Sequence, residues 1–245
     1  MSSALGVRDA NEASWTQFVD IASFMAEATE IPILYDGDTG YGNFNNVRRL
    51  IRHLIQRQIS GVVLEDKQFP KLNSFVGNSH PLADVNEFCG KLKAAVDSRS
   101  NDHFQVIART EALIADRPIC EAIERAGEYA DAGADAIFIH SRRRTADQII
   151  EFCTRWQNRT PVVVCPTTYF DTPFRKYREV GVNLCICANH NLRASAKAMM
   201  GASASIMATS GLTEIEPGIA SLDELFELLG YKELSVAEKK YLPTL

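Results

Sequence analysis

No stretch of this 245-residue chain approaches the ~20 consecutive apolar residues of a membrane-spanning helix, which excludes an integral helical membrane protein. The segment from Met1 to Trp15 lacks the basic-then-apolar layout of a secretion signal, so the expected location is the cytoplasm. Excess positive charge is also missing. Twenty-six Lys and Arg against 31 Asp and Glu leave a net charge of −5, with no basic face for a nucleic acid. The densest basic run, Arg142-Arg143-Arg144, reads as a solvated helix-entry loop. No CxxC pair links Cys89, Cys120, Cys153, Cys165, Cys185 and Cys187, so neither a disulfide framework nor a zinc site is legible. Internal repeats and low-complexity linkers are absent too, and one domain over 1–245 is expected, with a helical tail from about residue 218.

What is present is alternation. Short apolar, β-branched runs at 33–35, 61–64, 104–108, 136–139, 162–165 and 184–187 lack polar alternation, as strands covered on both faces do. Between them the apolar spacing predicts helices over 11–29, 46–58, 82–98, 117–132, 145–156, 172–180 and 192–200. Strand–helix alternation of this kind means a parallel sheet with right-handed crossovers, an α/β fold. The stretch 201–217 is small and mixed, and Ser221 opens a capping-box-like helix.

Ligands of parallel α/β folds bind at the C-terminal ends of the strands. The runs end in Asp36-Gly37-Asp38, Glu65-Asp66-Lys67, Arg109, His140-Ser141, Pro166-Thr167-Thr168 and Asn189-His190-Asn191. Asp36, Asp38 and Glu65 thus meet on one rim. Crowded carboxylates repel unless a divalent cation shares them, and an all-oxygen set favours Mg²⁺ or Mn²⁺ over zinc. The plainer alternative is a set of loop acids beside helix N-termini. A cation faced by Arg109 and His140 suits a small oxyanion such as an α-keto acid or a phosphoryl group. The loop from Lys67 to Pro81 is long enough to act as a lid, with Lys71 and Asn73 able to reach a substrate. Gly40 and Gly42 belong neither to a P-loop nor to GxGxxG, and let the backbone turn close to the site.

Asp-Gly-Asp-Thr-Gly-Tyr-Gly-Asn (36–43), Leu-Glu-Asp-Lys (64–67), Phe-Pro-Lys-Leu-Asn-Ser (69–74), Ala-Arg-Thr-Glu-Ala (108–112) and Ala-Asn-His-Asn-Leu-Arg-Ala (188–194) together resemble the isocitrate lyase/phosphoenolpyruvate mutase superfamily, and within it the phosphoenolpyruvate mutases. The likeness runs almost throughout and is loosest around 201–217. It implies a (β/α)8 TIM-type barrel that interconverts phosphoenolpyruvate and phosphonopyruvate. In that family Asp36 would ligate Mg²⁺ directly, with Asp38, Glu65 and Asp9 holding its waters. Arg109 and His140 would contact the substrate's charged oxygens, and Lys71 and Asn73 would sit on a gating loop that excludes water. The superfamily's lyases resemble one another in a Lys-Lys-Cys-Gly-His or Lys-Arg-Cys-Gly-His segment. Here that stretch is Lys67-Gln-Phe-Pro-Lys-Leu-Asn, without Cys, which argues against isocitrate or methylisocitrate cleavage.

Phosphonopyruvate hydrolase is the nearer alternative, and it tends to carry Thr where Asn73 stands. A non-catalytic binding or assembly module is a second alternative. The resemblance also implies two strands ahead of the position of Met1, so the six strands read here leave the barrel without its first two. It further implies a homo-oligomer, a dimer or tetramer, with C-terminal helices exchanged between subunits.

Overall fold

Residue parity along the strands decides how this protein is layered. The structure is a computed structural model that describes residues 1–71, 73–77 and 81–242. Its residues group into two compact units, Met1–Ala188 and Asn189–Leu245. In the first, strands β1 (Leu34–Asp36), β2 (Gly61–Glu65), β3 (Gln105–Thr110), β4 (Ala136–Ile139), β5 (Val162–Val164) and β6 (Val182–Cys185) form one sheet in the order β1-β2-β3-β4-β5-β6. Every neighbouring pair is parallel. Sequential order with helical crossovers is the winding of a (β/α)8 barrel, here with six strands among the described residues, running from β1 to β6.

Helices α1 (Trp15–Glu27), α2 (Phe44–Gln56), α3 (Val85–Ser98), α4 (Ile119–Asp131), α5 (Asp147–Trp156) and α6 (Phe174–Glu179) precede or link the strands. Successive side chains of a strand point to opposite faces. Tyr35, Val62, Leu64, Val106, Ala108, Ile137, Ile139, Val162 and Val164 accordingly join Leu50, Leu54, Phe88, Leu92, Tyr129 and Phe152 of the helices in the larger core. The residues of opposite parity, Val63, Ile107, Ala136, Phe138, Val163 and Cys165, form a smaller cluster on the inner face, with Leu34 and Ile186 against it. Asp36, Glu65, Arg109 and His140 share the parity of this inner set. The strands therefore aim the rim residues inward as a direct consequence of the two-residue period.

The second unit holds α7 (His190–Thr209), α8 (Leu222–Leu228) and α9 (Tyr231–Tyr241). None of the three has a buried residue, and Leu222, Leu225, Phe226, Leu229, Tyr231 and Leu234 are exposed. Ser221 and Glu224 form the expected capping box at the start of α8.

Two local expectations change. The helix expected from Asn11 begins at Trp15, because Ser14 rather than Asn11 accepts the backbone hydrogen bond of Thr16 and forms a capping box with Gln17. The helix expected to end at Met200 continues to Thr209. The small residues beyond Gly201 are largely Ala and Ser, and alanine is the strongest helix former.

Candidate active site

The rim is built from the segments that leave the C-terminal ends of the strands. After β1 the chain turns sharply through Gly37 to Gly42. Gly40 has φ +85°, and a Cβ there would lie 2.4 Å from Val47 Cγ2 of α2, so only glycine lets this turn pack on the helix. Asp38 adopts φ 49°, its backbone carbonyl accepts from Glu65 N at 2.7 Å, and its backbone N–H donates to Asp36 Oδ1 at 3.4 Å. The three acids expected to share a cation thus belong to one hydrogen-bonded turn and the neighbouring strand end. Asp36 is exposed, whereas Asp38 and Glu65 are buried.

Lys71 occupies the middle of the acidic group. Its ammonium pairs with Asp38 Oδ1 and lies 3.0 Å from Asp9 Oδ1. Burial disfavours the charged lysine, but Asp36, Glu65, Asp38 and Asp9 outweigh it and hold the ammonium above its ordinary pKa. Asn73 Nδ2 donates to Asp9 Oδ2 at 2.9 Å. Burial alone would raise Asp9, yet Lys71 and Asn73 keep its carboxyl below the usual range. Lys71, Asn73, Asp9 and Asp38 are therefore brought together. Leu72 and residues 78–80 of the expected lid lie outside the described residues.

Sequence reasoning missed Asn11. Its Nδ2 donates to Asp38 Oδ2 at 2.9 Å and its Oδ1 accepts from the backbone N–H of Lys71 at 2.8 Å, so one amide pins the β1 turn to the loop. As the first residue of an expected helix, Asn11 gave no sign of this. Its left-handed φ of 54° is a conformation asparagine tolerates, and only the structure reveals it.

Glu65 is fully buried. Its Oε2 lies 3.5 Å from Arg109 Nε and its Oε1 has no hydrogen-bond partner among the described residues. Burial pushes this carboxyl up to about 7, against the pull of Arg109 and with Glu111 pushing the same way. Arg109 stacks its guanidinium 4.9 Å from the Phe138 ring centre, a contact fixed by the β3–β4 register that pairs the two residues. His140 lies beyond Phe138 and packs in a T-shaped pair with the Phe75 ring, 5.5 Å between centres. Burial lowers His140 to about 3, and Arg109 adds to this while Glu111 opposes it, so the imidazole is neutral.

Two further acids were not recognised as site residues. Asp66 follows Glu65 and so points to the opposite face. There it accepts from Tyr129 Oη at 2.6 Å, Arg125 Nη1 at 3.3 Å and Glu111 N at 2.7 Å. Glu111 has the inner parity of Arg109 and is completely buried. Arg109 Nε donates to Glu111 Oε1 at 2.6 Å, and Ser74 Oγ donates to Oε2 at 2.7 Å, with Lys67 Nζ 2.9 Å from Oε2. Extending the period-2 count two residues past Arg109 was the signal available for Glu111.

As the side chains stand, no three His, Cys, Asp or Glu groups among the described residues are close enough together to hold a metal ion. The donor chemistry fits a hard divalent ion nonetheless: the rim offers carboxylate oxygens only, and Glu65 Oε1 is a buried acceptor without a donor among the described residues. The ammonium of Lys71 pairs with Asp38 and Asp9, while Lys67 Nζ lies 3.9 Å from Glu65 Oε1 and Arg109 Nε 3.5 Å from Glu65 Oε2.

This chain and its fold have counterparts. The family model described as phosphoenolpyruvate phosphomutase matches residues 1–207. The chain belongs to the phosphoenolpyruvate phosphomutase family. It is 49% identical over 243 residues to the phosphoenolpyruvate phosphomutase of Tetrahymena pyriformis, covering 99% of this chain and 81% of that protein. The crystal structure of the phosphoenolpyruvate phosphomutase of Streptomyces platensis subsp. rosaceus superposes with a TM-score of 0.97 at 40% identity, over 99% of this chain and 84% of that one. A phosphonopyruvate hydrolase solved with oxalate and Mg²⁺ superposes at 0.93 with 35% identity, over 99% and 84%. Within the phosphoenolpyruvate phosphomutase family, then, this chain has the barrel winding in six strands and a rim in which acids and cations alternate.

Proposed function

We infer that the chain is a phosphoenolpyruvate phosphomutase, an isomerase that interconverts phosphoenolpyruvate and phosphonopyruvate. The observation that carries this is identity of 49% across nearly the whole chain to a protein of that activity. The rim supports it: Arg109 and Lys71 supply fixed positive charge beside carboxylates able to take a divalent ion, as a phosphoryl and a keto-acid group on one small substrate require.

In this reading Asp36, Asp38 and Glu65 would hold Mg²⁺, with Mn²⁺ as a substitute, and Asp9 beside them. The ion would polarise the substrate's pyruvyl oxygens. The guanidinium of Arg109 binds a charged oxygen of the substrate and balances charge as the phosphoryl group changes acceptor. Neutral His140 can donate its one ring N–H to a substrate oxygen. Lys71 and Asn73 close the rim from the loop side, and Phe75 against His140 keeps water from the migrating group.

Phosphonopyruvate hydrolysis is the second reading. Asn73 in place of the hydrolases' Thr and the lower identity to a hydrolase favour the mutase. A purely binding role is opposed by Asp36, Asp38, Glu65, Arg109 and His140 all being present. Following phosphonopyruvate with Mg²⁺ by ³¹P NMR decides among the three. Phosphoenolpyruvate as the product supports the mutase, inorganic phosphate the hydrolase, and no turnover with Mg²⁺-oxalate stabilisation the binding role.

The proposal extends to a small-molecule enzyme of the cytoplasm. Among the described residues no helix is long and apolar enough to cross a membrane, and the cysteines are free thiols. It extends also to a homo-oligomer, dimer or tetramer, formed through α7–α9, on which Leu222, Leu225, Phe226, Leu229 and Leu234 are exposed. Light scattering on the purified protein tests this.

A further inference from the structure

We propose that Glu111 is a positioning residue that couples the seating of the loop residue Ser74 to the orientation of Arg109. The proposal rests on the role given to Arg109 at the substrate.

Ser74 Oγ is saturated. As a hydroxyl it has one hydrogen and two lone pairs. It donates to Glu111 Oε2 at 2.7 Å and accepts from Lys67 Nζ at 2.6 Å and from Arg109 Nη2 at 3.1 Å. The other carboxylate oxygen of Glu111 takes Arg109 Nε at 2.6 Å. Glu111 thus grips the guanidinium directly with one oxygen and through Ser74 with the other. Glu111, Ser74 and Lys67 are all buried, where an unmet partner is costly.

The grip is itself anchored from outside the site. The backbone N–H of Glu111 donates to Asp66 Oδ1 at 2.7 Å, and Asp66 is held by Tyr129 and Arg125 of α4. Glu111 is therefore fixed to the barrel, whereas Ser74 arrives on a loop. When Ser74 leaves, Arg109 loses one of its acceptors and Lys67 loses an oxygen. The guanidinium is then drawn toward Glu65, whose Oε2 lies 3.5 Å away. Seating the loop and aiming the arginine become one event.

The charge and both oxygens of Glu111 are needed. In Glu111→Gln the amide nitrogen must face either Arg109 Nε–H or the Lys67 ammonium, donor against donor in each case. The isosteric variant thus preserves volume and breaks the coupling.

The experiment is a double-mutant cycle of Ser74→Ala and Glu111→Gln on the intact chain. It reads kcat and KM for phosphonopyruvate, with hydrogen exchange of residues 73–77 as an activity-independent readout. Coupled residues are non-additive. Glu111→Gln is expected to lower kcat about 100-fold and Ser74→Ala about tenfold, with KM within about threefold, and the double variant to be no worse than Glu111→Gln alone. Exchange at 73–77 is expected to rise about tenfold in Glu111→Gln although the change lies just after β3. Multiplying losses in the double variant, or unchanged exchange, overturns the proposal. So does a lower melting temperature with kcat per folded molecule unaltered. If Glu111→Gln fails to fold, Ser74→Ala decides: kcat within about twofold of wild type overturns the coupling. Wild-type protein that makes no phosphoenolpyruvate refutes the function proposed above, and the coupling is then judged by exchange alone.

Discussion

The ammonium of Lys71 is ion-paired with the carboxylate of Asp38, and both groups are buried. The lysine comes from the loop and the aspartate from the turn after β1, so the pair joins loop to barrel at the point where the acids meet. A lysine there is a built-in counter-ion for carboxylates that a divalent cation would also seek.

That competition gives the first prediction. Lys71→Met removes the internal cation while keeping most of the side chain's volume. Mn²⁺ affinity, read by electron paramagnetic resonance without substrate, is expected to rise about tenfold because the carboxylates regain a need for positive charge. Turnover is expected to fall by at least about 100-fold if, as proposed above, the loop cation also supplies positive charge to the substrate. Unchanged Mn²⁺ affinity would mean that ammonium and metal occupy separate places.

Glu65→Gln is expected to stabilise the metal-free protein while disabling it. A carboxyl whose folded pKa is raised from 4.5 to about 7 binds its proton more tightly folded than unfolded. It therefore destabilises the fold progressively as pH climbs from 4.5 through 7, and fully above that. A neutral amide avoids this, so urea denaturation at pH 8 is expected to show a gain of roughly 1–3 kcal/mol and at pH 4 no gain. In the same variant Mg²⁺ should no longer raise the melting temperature. Equal stability of variant and wild type at pH 8 would refute the burial argument.

The strand-end residues Asp36, Glu65, Arg109 and His140 were legible in sequence because position at the end of an apolar run is a one-dimensional property. Parity then fixes that all four face inward, and Phe138 sets Arg109's stacking by register alone. Asp66 and Glu111 show the limit. Each carboxylate is indistinguishable from its neighbours by residue type, and apart from Arg109, which is next but one to Glu111, its partners Tyr129, Arg125 and Ser74 are distant in sequence. Asn11 shows another: Asn before an amphipathic stretch is a good cap, and only the close approach of Asp38 and Lys71 reassigns it. Helix α7 outran its expected end because small residues carry no periodicity to read, although alanine favours the helix.

Tyr129→Phe separates scaffold from chemistry. The lost hydroxyl is a 2.6 Å donor to buried Asp66 and also accepts from Arg125 Nη1 at 3.1 Å. Losing it should cost about 1–3 kcal/mol in urea unfolding, because Asp66 cannot turn to water for a replacement. Asp66 keeps its bond to the backbone of Glu111, so kcat is expected to stay within about threefold. A large kcat loss without loss of stability would place Tyr129 in the site instead of behind it.

His140 makes stability depend on acid. Its folded pKa, lowered from 6.5 to about 3 by burial and by Arg109, means that the unfolded chain takes up a proton over this range while the native site refuses it. The stability associated with a neutral His140 is therefore complete above pH 6.5 and is lost as pH falls toward 3, at up to ~1.4 kcal/mol per pH unit. Other groups titrate in the same window, Asp38 at about 6 among them, so the measurement must be a difference. His140→Asn keeps a polar planar side chain that cannot be protonated. The unfolding free energy of wild type minus that of the variant is expected to fall steadily between pH 6.5 and 4 and to be flat from 7 to 8. A flat difference across the whole range would mean that His140 accepts its proton in the folded state, beside Glu111, and is charged where we assign it neutral.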